Sequence, residues 1–184
     1  PGKLKKLITK RNPAVAGSTI KIVVPAKAKV REVFIDDLFK KVKGVKATGP
    51  IILAESKVKA GVKKIIGETG TFKDWGGEKS DLYTTKITLR GKRIASAVAF
   101  KGKATSGKLT PEKMGKRGDQ ILRLFQEPAE LLLVVYGGQI DSSIKTQMQL
   151  AATNRALAGQ KINYGVIDGD DLARLIAAYP IAFK

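Results

Sequence analysis

The sequence contains no cysteine and no histidine. Disulfides and thiolate catalysis are therefore excluded, and a structural zinc site has lost its usual ligands. Any metal used by this chain must rest on oxygen donors. Acidic residues are scarce too: 16 Asp and Glu stand against 35 Lys and Arg, a formal charge of +19. No uninterrupted apolar run approaches the length of a membrane helix, so no membrane partner is expected. Nothing at the start reads as a secretory signal, which makes a cytoplasmic location the expectation. The opening Pro1-Gly2, without methionine, reads as a processed, trimmed or tag-derived end.

Hydrophobic residues make up a normal globular 43% of 184 residues, enough for one compact α/β core with a small appendage. The charge is uneven. Residues 1–65 hold 17 Lys and Arg against 4 Asp and Glu, a net of +13, which leaves +6 for the remainder. Such a surplus repels itself in a compact state, and a polyanion relieves it by neutralising charge and releasing counterions. A solubilising face is the plainer reading, but smaller and more balanced charge serves solubility. Nucleic acid, DNA or RNA, is the partner this composition favours.

Lys3 to Arg11 is a short basic helix or extended arm stopping at Asn12-Pro13, and Lys3, Lys5, Lys6, Lys10 and Arg11 are expected to lie on nucleic acid. Ser18 to Val24 reads as a strand ended by Pro25. Val30, Val33, Phe34, Leu38, Phe39 and Val42 recur at three- and four-residue steps, which predicts a helix over 29–43 closed by Gly44. Residues 1–49 are thus expected to be a basic extension or small subdomain, dispensable to a principal domain at 50–184. There, Pro50 to Ile66 predicts a helix ended by Gly67, and Gly70 to Asp81 is glycine-rich and polar. Leu82–Leu89 and Arg93–Lys101 predict a hairpin turning about Gly91. Helices are predicted at 118–126, 139–158 and 172–179, and strands at 131–136 and 162–167.

A turn centred on Gly91 puts Asp81 opposite Lys101 at the hairpin's open end, with Cβ atoms about 5 Å apart. Phosphodiester hydrolysis needs a hard cation on oxygen ligands to activate water, and a positive group near the attacked phosphate. Asp81 suits the first need and Lys101 the second. By geometry alone an ordinary cross-strand ion pair is the plainer account.

The order helix, Asp at a strand start, hairpin, Lys at the return strand's end, helix, buried strand, helix, strand, helix resembles the PD-(D/E)xK nuclease superfamily. Two stretches look specifically like its Mrr-like restriction nucleases. Gly76-Gly77-Glu78-Lys79-Ser80-Asp81 is similar to that family's glycine-rich approach to its metal-binding Asp. Val166-Ile167-Asp168-Gly169-Asp170-Asp171-Leu172-Ala173-Arg174-Leu175-Ile176 is similar to its closing strand-IDG-helix segment. The resemblance covers residues 50 to 180. It implies an α/β fold with a restriction-endonuclease-like mixed central sheet flanked by helices, preceded by the basic N-terminal extension. It also implies Mg2+-dependent DNA endonuclease activity, with Mn2+ as a substitute cation and a homodimer left open.

By the same resemblance Asp81 corresponds to the metal-binding Asp, Lys101 to the motif lysine, and Phe100 to the residue whose carbonyl also binds the cation. The position two before the lysine should be Glu, Asp or Gln and is Ala99. Glu78, Glu55 and Gln120 are alternative sources of the missing ligand; otherwise the site is inactive. Lys103, Lys108, Lys113, Lys116 and Arg117 either track a phosphate backbone or line a solvated loop. Trp75, Tyr83 and Phe72 either stack on bases or pack. Asp168, Asp170 and Asp171 are explained by helix capping. A non-catalytic nucleic-acid-binding module, including a ribosomal-type RNA-binding protein, is the competing expectation.

Overall fold

Residues 29–49, 53–70, 79–102 and 107–184, described by a computed structural model, form a mixed five-stranded sheet between two layers of helices. In chain order the elements are β1 (Lys29–Glu32), α1 (Ile35–Leu38), α2 (Glu55–Ile66), β2 (Leu82–Thr84), β3 (Thr88–Leu89), β4 (Lys92–Arg93) and β5 (Ser96–Lys101). They continue with α3 (Gln120–Leu124), β6 (Leu131–Tyr136), α4 (Ser142–Leu157), β7 (Lys161–Ile167) and α5 (Gly169–Ala178). Short 3-10 helices lie at Lys40–Val42, Pro111–Lys113 and Pro180–Phe183. Among the described residues no helix is long and apolar enough to cross a membrane.

The sheet order is β1-β7-β6-β5-β2; only β2 runs antiparallel to its neighbour. All six residues of β6 are buried, as a central parallel strand covered on both faces requires. Alternation along the strands feeds two cores. Val98, Phe100, Leu131, Leu133 and Val135 pack with Val58 and Val62 of α2 and Leu172 and Leu175 of α5. Ala97, Ala99, Leu132, Val134 and Tyr136 pack on the other face with Ile121 and Leu124 of α3 and Ile144 and Met148 of α4.

The helix expected over 29–43 is not formed. Lys29–Glu32 is instead a strand, outermost in the sheet among the described residues, that pairs in parallel with Lys161–Tyr164 of β7, and only α1 and the 3-10 turn remain helical. The apolar steps are real, but a backbone ladder from a distant strand overrides local periodicity. Gly165 permits the docking, since a Cβ there would collide with the Val33 carbonyl. Val33, Ile35, Leu38, Phe39 and Val42 are buried in the same core as α2 and α5. A boundary at residue 50 therefore cuts through both sheet and core. The strand expected at 18–24 and Pro50 itself lie outside the described residues, but the helix expected from Pro50 begins only at Glu55, Ala54 before it being extended at φ −62° and ψ 144°.

The long hairpin is also revised. Its tip turns on two residues with positive φ, Arg90 at 52° and Gly91 at 79°, joining β3 to β4. Below the tip, Thr85 to Ile87 oppose only Ile94 and Ala95, an extra residue that breaks the ladder. β2 then pairs Leu82 with Val98, Tyr83 with Ala97 and Thr84 with Ser96. Continuing that register, Asp81 stands across from Ala99, two residues short of Lys101. A slip of two leaves every side chain on its original face, so Lys101 stays on the Asp81 side of the sheet.

The expected helices shift modestly at their ends. α3 starts two residues later than 118 because Gly118 is left-handed, with φ 67°, and Asp119 is the N-cap; α5 begins three residues before Leu172. Asp168 caps α5 as expected, accepting the N–H groups of Asp170 and Asp171 at 3.1 Å each. Gly169 is needed where α5 meets the loop after β6, since a Cβ would come within 2.8 Å of the Gly137 carbonyl. The capping aspartate and the close-packed glycine thus account physically for the IDG stretch.

Candidate active site

Asp81 directly precedes β2. Its N–H donates to the Val98 carbonyl at 3.0 Å, which anchors it beside the end of β5. One carboxylate oxygen, Oδ2, accepts the N–H of Phe100 at 2.7 Å and lies 3.4 Å from Gln120 Nε2. The Phe100 contact is thus through its amide hydrogen, while its ring is fully buried in the core. Gln120 opens α3 and is 6% exposed, and its Oε1 has no hydrogen-bond partner. A buried amide oxygen left unpaired costs free energy, and a donor or a cation would relieve that cost.

Glu55 is the first residue of α2, and Gly102, directly after Lys101, lets it approach. A Cβ on Gly102 would fall 2.5 Å from both the Glu55 nitrogen and the Glu55 Cβ. The Gly102 main chain hydrogen-bonds to the Glu55 carboxylate. Burial raises the Glu55 pKa first, and the Asp81 charge raises it further. Lys101, the Gly102 main chain and Lys59 offset this in part. Glu55, Asp81 and Lys101 therefore share one electrostatic neighbourhood at the C-terminal end of β5, with two carboxylates to one strand-borne ammonium.

No known protein family, curated protein or solved structure matches the chain.

Ala99, across from Asp81, is fully buried among Met114, Ile121 and Leu124. The structure brings together Asp81, Phe100, Gln120, Glu55 and Lys101. Glu78, Lys103, Phe72, Trp75 and the basic residues Lys3, Lys5, Lys6, Lys10 and Arg11 lie outside the described residues. Lys108 forms a 2.8 Å ion pair with Asp141, the cap of α4, and Lys116 and Arg117 are exposed before α3. Tyr83 packs against the core and donates its hydroxyl to the Pro128 carbonyl at 3.2 Å. Among the described residues no group of three or more Asp, Glu, His or Cys gathers. The donors present are two carboxylates and an amide oxygen, a hard set that suits Mg2+ or Mn2+ rather than a soft metal. Sequence reading passed over the lysines of α2, although Lys59 and Lys63 stand one helical turn apart.

Proposed function

We propose that this chain is a metal-dependent DNA endonuclease of the PD-(D/E)xK superfamily, with a restriction-endonuclease-like fold and Mg2+ as its cation, replaceable by Mn2+. The observation that carries the reading is the meeting of Glu55 and Asp81 with Lys101 at the end of β5. Burial and the Asp81 charge raise the cost of ionising Glu55, a cost that a cation held between the two carboxylates would relieve. Gln120 turns its amide nitrogen to Asp81 at 3.4 Å, and a half-turn of that amide would present its unpaired oxygen there as a third donor.

Asp81, Glu55 and the Gln120 Oε1 would hold the cation, which when bound activates water and neutralises charge developing on the phosphate. Phe100 holds the Asp81 carboxylate in orientation through its N–H, and Gly102 does the same for Glu55. Lys101 offers its ammonium to the attacked phosphate. Cutting both strands of a duplex with one such site per chain calls for two copies, so a homodimer belongs to the same reading.

Ala99 favours a second reading, a nucleic-acid-binding module without catalysis. A methyl group enclosed by apolar side chains stands where the superfamily carries an acid or amide. A plasmid-nicking assay with Mg2+ or Mn2+ separates the two. Cleavage by the unaltered protein, lost in Asp81→Ala while DNA affinity in chelator persists or improves, is the expected result. Full cleavage by Asp81→Ala would refute the assigned ligand, and an inactive parent that binds DNA would establish the second reading.

A further inference from the structure

α2 carries Lys57, Lys59, Lys63 and Lys64 in twelve residues, with Glu55 as its sole acid. Along its outer side runs an open groove of about 380 Å3 bordered by Ser56, Lys59, Ala60, Lys63, Lys64 and Glu68. Lys64 also borders a second groove, of about 400 Å3, shared with Lys41, Tyr179 and the Pro180–Ala182 turn, so the two form one track. The far wall is built rather than incidental. Gly61 admits the Phe183 ring against α2, Lys64 Nζ donates to the Lys184 carbonyl at 3.2 Å, and Lys41 Nζ sits 5.4 Å from the Tyr179 ring centre.

Four lysines border the track against one acid. That acid, Glu68, is already engaged by the Gly70 N–H at 2.9 Å, by the Thr84 hydroxyl at 2.7 Å and by Lys86 at 3.7 Å. The track begins at Ser56, next to Glu55, and Lys59 belongs both to the groove and to the charges acting on Glu55. From Ser56 to Lys63 the helix rises roughly 10 Å, at about 1.5 Å per residue. That length matches roughly three nucleotides of one DNA strand at about 3.4 Å each.

We infer that the α2 track holds the phosphate backbone of a DNA duplex where it runs into the Asp81 site, with Lys59, Lys63 and Lys64 as the phosphate contacts. This rests on the DNA-binding part of the function proposed above and not on cleavage.

The test uses the full chain in chelator with a DNA duplex of arbitrary sequence, and reads affinity across a salt series. Lys59→Gln, Lys63→Gln and Lys64→Gln together should weaken binding about tenfold or more at moderate salt. The salt slope should fall by roughly 2.7, at about 0.9 per phosphate contact. Lys29→Gln, Lys145→Gln and Lys161→Gln remove equal charge at the opposite sheet edge and should leave the slope nearly unchanged. The three α2 lysines changed to Arg should retain binding, which separates phosphate contact from a packing role. Equal losses from both glutamine sets, or no loss from the α2 set, would overturn the inference. Tighter, α2-dependent binding of an RNA duplex would overturn the choice of DNA. A chain that never cleaves, yet loses DNA selectively with the α2 set, would sink the nuclease reading and leave the track standing.

Discussion

Deleting residues 1–49 is expected to unfold the protein, whereas deleting residues 1–28 is expected to leave it folded. The longer deletion removes β1 and with it four paired positions along β7. It also removes Val33, Ile35, Leu38, Phe39 and Val42, none more than 8% exposed. Each such side chain contributes about 1.5–3 kcal/mol when buried, or roughly 8–15 kcal/mol for the five, an upper estimate because unfolded chains are partly compact. Total stabilities of single domains are about 5–15 kcal/mol, so the loss matches the whole. The shorter deletion keeps all of this packing while removing seven Lys and Arg and no acid, taking the net charge from +19 to +12. It should therefore weaken DNA binding and flatten its salt dependence. Urea titrations followed by far-UV circular dichroism compare the three chains. A cooperative transition in residues 50–184 with the midpoint and slope of the full chain would refute the reasoning.

Three substitutions probe the site and its scaffold. Ala99→Glu adds an acid at a fully buried position beside Asp81 and should lower the melting temperature in chelator, with Mg2+ recovering much of the loss. Equal Mg2+ response in variant and parent would show that no cation is held there. Burial and the Asp81 charge raise the Glu55 pKa, so its ionisation opposes folding. That penalty is absent below the ordinary value of 4.5 and complete above the raised one. Glu55→Gln should accordingly be the more stable protein at neutral pH and lose its advantage in acid, as paired urea melts at the two pH values would measure. Asp168→Ala removes the α5 cap and should cost about 1 kcal/mol, a melting point lower by roughly 2–4 °C.

Much of the architecture was legible because its signals are local. The unbroken apolar run of β6, the capping acids of α5 and the glycine after α2 each identify an element from its own residues. β1 was not legible, because its helical periodicity is genuine and its partner strand lies about 130 residues downstream. The hairpin was half legible. The two-residue turn at Arg90-Gly91 and the unmatched residue before Thr88 are not readable in advance, yet their combined slip of two left Asp81 facing the expected side. The approach of Glu55 depends on Gly102 lacking a Cβ, a close contact that nothing in the local sequence announces.

Because β1 pairs with β7, the first described strand cannot find its place until the last strand exists. At synthesis rates of about 5–20 residues per second, the intervening 130 or so residues take roughly 7 to 26 s to emerge. Throughout that interval Lys29–Glu32 has no ladder to join, and the apolar residues after it have no α5 to cover them. Closure of the sheet is thus a late, long-range event, of the kind that slows folding and leaves a growing chain open to wrong partners. The net charge of +13 on residues 1–65 works against that hazard, because nascent copies with like-charged fronts repel one another during the wait.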